Sequence, residues 1–158
     1  TLASLLELLD FGSSLPLKAP VPGTVGSTKP RRWLVGDERK TAHPAFDFTP
    51  FYGPNVGDKL LSGTLLYRAL VELSWDWSDT ALSNSAVDGR PVSLGELYEQ
   101  LGRPLSVIAL GKVAESRLNA AGVPNFLVPH PQYVRRFHYQ EAKLGMYARV
   151  LSDAERAR

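Results

Sequence analysis

The sequence predicts a three-layer α/β domain in which helices cover both faces of a four-stranded parallel sheet. Three observations carry this expectation. Short apolar runs of strand length recur along the chain, segments of helical periodicity alternate with them, and polar residues follow directly on each run. Strands alternating with helices imply βαβ units and hence a parallel sheet. In such sheets ligands bind beyond the carboxyl ends of the strands.

Leu2, Leu5, Leu6 and Leu9 recur at helical spacing before Phe11-Gly12 and predict a short amphipathic helix. From Ser13 to Pro30 the chain carries Pro16, Pro20, Pro22 and Pro30 among glycines and basic residues, a composition suited to an extended surface loop. Trp33-Leu34-Val35 is a short buried-type strand that opens into Gly36-Asp37-Glu38. Between Lys59 and Leu73, residues Leu60, Leu61, Leu65, Leu66, Ala69, Leu70 and Leu73 share one broad helical face. Thr80 to Asn84 reads as the second strand, and Ser93 with Glu96 forms a capping-box pattern for a helix running to Leu101. Leu105 to Leu110 is the clearest strand. Gly111 follows it at once, then a helix to about Ala121 that Gly122 stops. Asn125 to Val128 is the fourth strand, leading into Pro129-His130-Pro131, and a helix from about Val134 to Leu151 closes the pattern.

With 158 residues, 44% of them hydrophobic, the chain is expected to form a single domain over 1–158. The division within it is an N-terminal helix and basic Pro/Gly-rich segment over 1–32, then a core over 33–151. No apolar run approaches the roughly 20 residues of a membrane span, so no membrane partner is expected. The start at Thr1 lacks the positive region of a secretory signal, which points to a cytoplasmic address, nucleoid-associated in a bacterial or viral setting. The absence of Cys excludes disulfides, thiolate–zinc sites and iron–sulfur clusters, and three scattered His residues argue against a metal site. A chemistry without metal or cofactor is therefore expected.

The net charge of +2 is uninformative, but its distribution is not. Phe11 to Gly36 holds Lys18, Lys29, Arg31 and Arg32 with no acid, and Ser116 to Gln140 holds Arg117, Arg135 and Arg136 with none. Two positive-only segments on one face would make a phosphate-binding surface; ordinary solvated side chains explain them equally well.

The predicted carboxyl edge collects Asp37, Glu38, Asn84, Gly111 and His130. Around these positions five short motifs occur in order. They are Gly36-Asp37-Glu38; Pro50-Phe51-Tyr52-Gly53 with Gly57 and Leu60 beyond; Leu82-Ser83-Asn84; Ala109-Leu110-Gly111-Lys112-Val113-Ala114; and His130-Pro131-Gln132-Tyr133. In order and spacing they resemble the uracil-DNA glycosylase superfamily, over roughly Trp33 to Leu151. The resemblance implies a uracil-DNA glycosylase-like fold and a monofunctional enzyme that flips a base out of DNA and hydrolyses its N-glycosidic bond, leaving an abasic site.

The residues can be checked against what that reaction demands. Its transition state places positive charge on the sugar, so a carboxylate is wanted beside the anomeric carbon. Asp37 and Glu38 are candidates, the resemblance implying Glu38 first; loop capping is the competing role for either acid. The departing base carries negative charge, and His130, on a loop stiffened by Pro131, is the candidate donor. A flipped base needs an aromatic face and an amide to read its edge. The resemblance places Phe51 and Asn84 there, with Gly36 and Tyr52 completing the substrate pocket. Core packing suits Phe51 as well, and a turn position suits Asn84. The family's last loop probes the duplex, which implies Gln132 and Tyr133 at the gap and Arg135 and Arg136 on phosphates, with Gly111 and Lys112 at a helix start that can approach another phosphate. A solvated helix start is the competing reading for each.

The sequence departs from the family pattern in three places. Arg39 and Lys40 stand where most branches have a proline, Gln132 replaces a small Ser after His-Pro, and Arg39 to Thr49 is a longer insertion. The lack of Cys excludes the iron–sulfur branch. Pocket shape sets which base is accepted, so uracil is the family expectation and a larger modified pyrimidine is the alternative. The expected partner is DNA, duplex or single-stranded, bound by a monomer. Two other functions fit the same fold: a non-catalytic nucleic-acid-binding module, and an N-glycosidase acting on free nucleosides or nucleotides. A Rossmann dehydrogenase is disfavoured because no G-x-G-x-x-G follows a strand.

Overall fold

The computed structural model describes residues 24–38, 66, 69–70, 72–76, 78–130 and 142–156. The strands are β1 (Thr24–Gly26), β2 (Arg32–Gly36), β3 (Thr80–Asn84), β4 (Ala86–Val87), β5 (Arg90–Pro91), β6 (Ser106–Leu110) and β7 (Phe126–Val128). The helices are α1 (Leu94–Gln100), α2 (Lys112–Ala120) and α3 (Ala142–Arg156). Leu66, Ala69, Leu70 and Glu72 are also helical, within the segment where the leucine spacing predicts a helix. The expected N-terminal helix and the expected start of the last helix lie outside the described residues.

β3, β2, β6 and β7 are hydrogen-bonded in that order and are all parallel. Every residue of β2, β3 and β6 is buried, as expected for strands covered on both faces. The pleat divides these runs between two cores. Leu34, Leu82, Ile108 and Leu110 pack with Leu66, Leu70 and, from α3, Tyr147 and Leu151. Trp33, Val35, Ala81, Val107 and Ala109 pack with Leu94 and Leu97 of α1 and Ala114 and Leu118 of α2. Helices therefore cover both faces of a mostly parallel sheet.

Four details correct the sequence reading. The segment expected to be a loop over Ser13 to Pro30 contributes β1, which pairs antiparallel with β3 and adds a fifth strand. A three-residue edge strand between prolines has no periodicity to reveal it; it is recruited by the open edge of β3. The capping box at α1 does not form: Ser93, at φ −73° and ψ 80°, makes no side-chain cap bond. Its carbonyl instead accepts from Leu97 N at 3.0 Å. The last helix runs past Leu151 to Arg156.

The fourth correction concerns charge. Arg32 lies at the amino end of β2, 8% exposed. It pairs with Asp79 at 2.9 Å and with Glu155 of α3, and its guanidinium sits 4.3 Å from the Trp75 ring centroid. Arg31 pairs with Glu155 at 3.8 Å. Arg117 instead reaches Asp37, just past the carboxyl end of the same strand. A five-residue strand, about 16 Å long at ~3.3 Å per residue, separates them, so Arg31 and Arg32 lie at the opposite end of the sheet from Arg117 and are tied up in ion pairs there.

Both α1 and α2 end in Schellman motifs. After α2, Val123 N bonds Leu118 O at 3.0 Å and Gly122 N bonds Asn119 O at 3.0 Å, while Val123 and Leu118 pack in the same core. Gly122, at φ +73°, supplies the left-handed turn expected of it.

Candidate active site

The register fixes where the chemistry collects. Gly36 lies opposite Asn84, and Leu110 opposite Val128, so the four parallel strands end at one edge. β2 has β3 on one side and β6 on the other. The chain moves outward from β2 to β3, then crosses back over β2 to β6 and continues to β7. The order reverses between β2 and β6, the kind of switch point where α/β sheets bind ligands. Asp37 follows β2 there, Gly111 follows β6, and His130 comes two residues after β7.

The turn after β2 is fixed from two other elements. Ser85, just past β3, donates from its N–H to Gly36 O at 2.9 Å and from Oγ to Asp37 O at 2.8 Å. Arg117 of α2 donates from Nη1 to Asp37 O at 3.0 Å, to Asp37 Oδ1 at 3.3 Å and to Ser85 Oγ at 3.0 Å. The Asp37 side chain stays 44% exposed, so it remains open to a ligand. Glu38 is committed elsewhere: its carboxylate accepts the backbone N–H of Gly89, at the tip of the β4–β5 hairpin.

His130 is held from below and behind. Gly111 N donates to Val128 O at 2.9 Å, which closes the end of β7 onto β6. The hydroxyl of Tyr147, buried on α3, donates to Pro129 O at 2.9 Å. The ring then packs on the Gly111 backbone, where an added Cβ would lie 3.1 Å from His130 Cβ and 3.4 Å from Cδ2. The N–H of Gly111 is thus already used within the fold, and its close approach is to His130 rather than to a phosphate.

Burial lowers the pKa of His130 below the usual imidazole value, and the nearby Asp37 carboxylate pulls it back upward. The net downward direction leaves the imidazole neutral at pH 7, able to donate one hydrogen bond without carrying a full charge. Burial likewise pushes the Tyr147 phenol well above its ordinary value, so it stays a protonated donor to Pro129 O.

No protein-family model matches the chain, and no curated protein matches it.

Of the residues singled out in the sequence, Gly36, Asp37, Glu38, Asn84, Gly111, Lys112 and His130 lie at this edge. Asn84 is 4% exposed and by strand alternation shares the face of Leu82; Lys112 is exposed at the start of α2. Phe51, Tyr52, Gln132, Tyr133, Arg135 and Arg136 lie outside the described residues. The sequence reading missed Ser85, Gly89, Tyr147 and the role of Arg117. Asp88-Gly89 carried a readable hairpin signal, since both residues adopt the positive φ that a tight turn requires, +48° and +78°. Among the described residues no group of three His, Asp or Glu could hold a metal ion.

Gly111 offers a direct check on the geometry. Its φ of +105° and ψ of 166° belong to a region essentially closed to other residues, costing about 1–3 kcal/mol. Gly111→Ala is expected to lose at least that much unfolding free energy in denaturant titrations and to move the His130 ring resonances. A loss below about 0.5 kcal/mol, the range of an ordinary surface change, together with unmoved resonances would contradict the packing described.

Proposed function

We propose that the chain is a DNA glycosylase of the uracil-DNA glycosylase type, which flips a uracil-like or modified pyrimidine out of DNA and hydrolyses its N-glycosidic bond. The observation that carries this reading is the placement of Asp37 and His130 on either side of the switch point. One is a half-exposed carboxylate and the other a partly buried neutral imidazole. The ordered motifs from Gly36 to Tyr133 support the same reading.

In this mechanism the bond from the anomeric carbon to the base breaks, and its electron pair leaves with the base. His130 donates a hydrogen bond to the carbonyl oxygen on which that charge develops, and Asp37 faces the positive sugar and orients the attacking water, whose proton it accepts. Water adds to the anomeric carbon, giving the abasic site, and the proton taken by Asp37 returns through solvent to the departed base anion, giving the free base. Asn84 reads the base edge, while Gly36, Phe51 and Tyr52 line the pocket. Gln132 and Tyr133 fill the gap in the DNA, and Lys112, Arg135 and Arg136 meet phosphates. The sequence reading put Glu38 ahead of Asp37; the bond from Gly89 to Glu38 and the electrostatic coupling of Asp37 to His130 favour the reverse.

That choice is testable by comparing Asp37→Asn with Glu38→Gln in single-turnover excision, scored by alkaline cleavage at abasic sites. Asp37→Asn should cost on the order of 100-fold or more while DNA affinity stays near wild type, because the carboxylate acts on transition-state charge. Glu38→Gln should cost less. Full activity in Asp37→Asn would remove the assigned role.

A further inference from the structure

We propose that Arg117 is the positioning residue for Asp37: from α2 it fixes both the backbone and the carboxylate of Asp37 at the head of the switch point. The inference rests on the glycosylase reading for its catalytic consequence, but its geometry is independent of it. Arg117 Nη1 donates three hydrogen bonds, and all three acceptors belong to one locus: Asp37 O, Asp37 Oδ1 and Ser85 Oγ. Ser85 closes the triangle by donating to Asp37 O at 2.8 Å. A surface ion pair would meet only the carboxylate and contribute little. Here one guanidinium nitrogen spans a backbone carbonyl, a carboxylate and a hydroxyl, which fixes direction as well as charge.

The alternative use of Arg117 as a phosphate contact is disfavoured by its surroundings. Its shallow groove, shared with Val92 and Ser93, also contains Glu96, whose charge opposes a phosphate. Positioning by Arg117 gives a carboxylate that is 44% exposed a contact that limits its orientation. A misplacement on the scale of 1 Å at a reacting group costs about 100-fold in rate, so the contribution of this triangle is measurable.

The experiment is a double-mutant cycle on single-turnover excision, with DNA affinity measured in parallel. Arg117→Gln should lower the excision rate by about 10- to 100-fold with unchanged affinity for DNA. Combining it with Asp37→Asn should cost nothing beyond Asp37→Asn alone, since Arg117 acts through Asp37. If Arg117→Gln does not fold, Arg117→Met carries the same test: it keeps an unbranched apolar stem but no donor, and a slowed rate at unchanged affinity is again expected. Multiplicative losses, or weakened DNA binding with an unchanged rate, would overturn the proposal in favour of a phosphate contact. A readout free of activity separates this inference from the functional reading: the Asp37 carboxyl carbon resonance should shift in Arg117→Gln. An unmoved resonance would defeat the positioning role whether or not the protein excises bases; a shifted resonance with no excision by wild type would defeat only the glycosylase reading.

Discussion

His130→Ala is expected to slow base excision by a factor on the order of 100 to 1000, the usual loss for one preorganised donor. Affinity for DNA should hardly change, because Arg135 and Arg136 are assigned contacts that do not depend on the base. Replacing those two arginines should do the opposite: weaken binding and flatten its salt dependence while leaving the chemical step intact. The prediction has a pH arm. Burial lowers the His130 pKa and Asp37 partly offsets that, so the donor should stay neutral to lower pH than an ordinary imidazole, and the rate should hold correspondingly further into the acid range. Asp37→Asn removes the upward pull, so the His130 titration followed by NMR should move lower still. A midpoint that rises in Asp37→Asn would contradict the proximity of the two groups. Stability follows from the same linkage. Between the folded and unfolded pKa values the unfolded chain binds more protons at this site, so acidification through that window destabilises the fold. His130→Ala should lack that component.

Arg32→Ala is expected to destabilise the domain by about 3 to 5 kcal/mol, the cost of removing one partner from a buried ion pair. Arg32 and Glu155 are 9% and 15% exposed at the side chain, so the Glu155 carboxylate would be left largely buried without its main cation. The cation–π contact to Trp75 at 4.3 Å is lost in the same substitution. Denaturant titration of Arg32→Ala and Glu155→Gln checks this, and both should lower the midpoint with little change in slope. A loss below about 1 kcal/mol, typical of exposed pairs, would mean that this cluster at the amino edge does not pin α3 to the sheet. Because it lies at the far end of β2 from Asp37, the variant that still folds should bind DNA normally.

The parallel strands were legible from short apolar stretches bounded by turn residues, clearest in Val107 to Leu110, and the complete burial of β2, β3 and β6 is what such stretches encode; β7 is an exception at Leu127, which is exposed. The edge that gathers Asp37, Asn84, Gly111 and His130 followed from parallel pairing alone. What the sequence did not disclose is what depends on distant partners. Arg117 lies 80 residues from Asp37, and in the sequence it stood only as one cation of a positive segment, open equally to phosphate and to solvent. Tyr147 gave no hint that its hydroxyl meets Pro129 O from across the sheet edge. Arg32 looked like part of a basic surface; only the docking of α3 brings Glu155 to it. Glu38 and Asp37 are adjacent in sequence, and their different surroundings arise from the β4–β5 hairpin and α2, neither of which local pattern relates to them.

Hydrolysis of an N-glycosidic bond in DNA, the activity proposed for this site, is measured directly by base release. The protein is incubated with oligonucleotides carrying uracil and a range of modified pyrimidines, and in parallel with the corresponding free nucleosides and nucleotides. Liberated base is identified by mass, and abasic sites are counted by alkaline strand cleavage. One free base should be released from DNA in step with abasic sites, with no release from the free nucleosides or nucleotides. Release from free substrates alone, or DNA binding with no base released from any member of the panel, would contradict it.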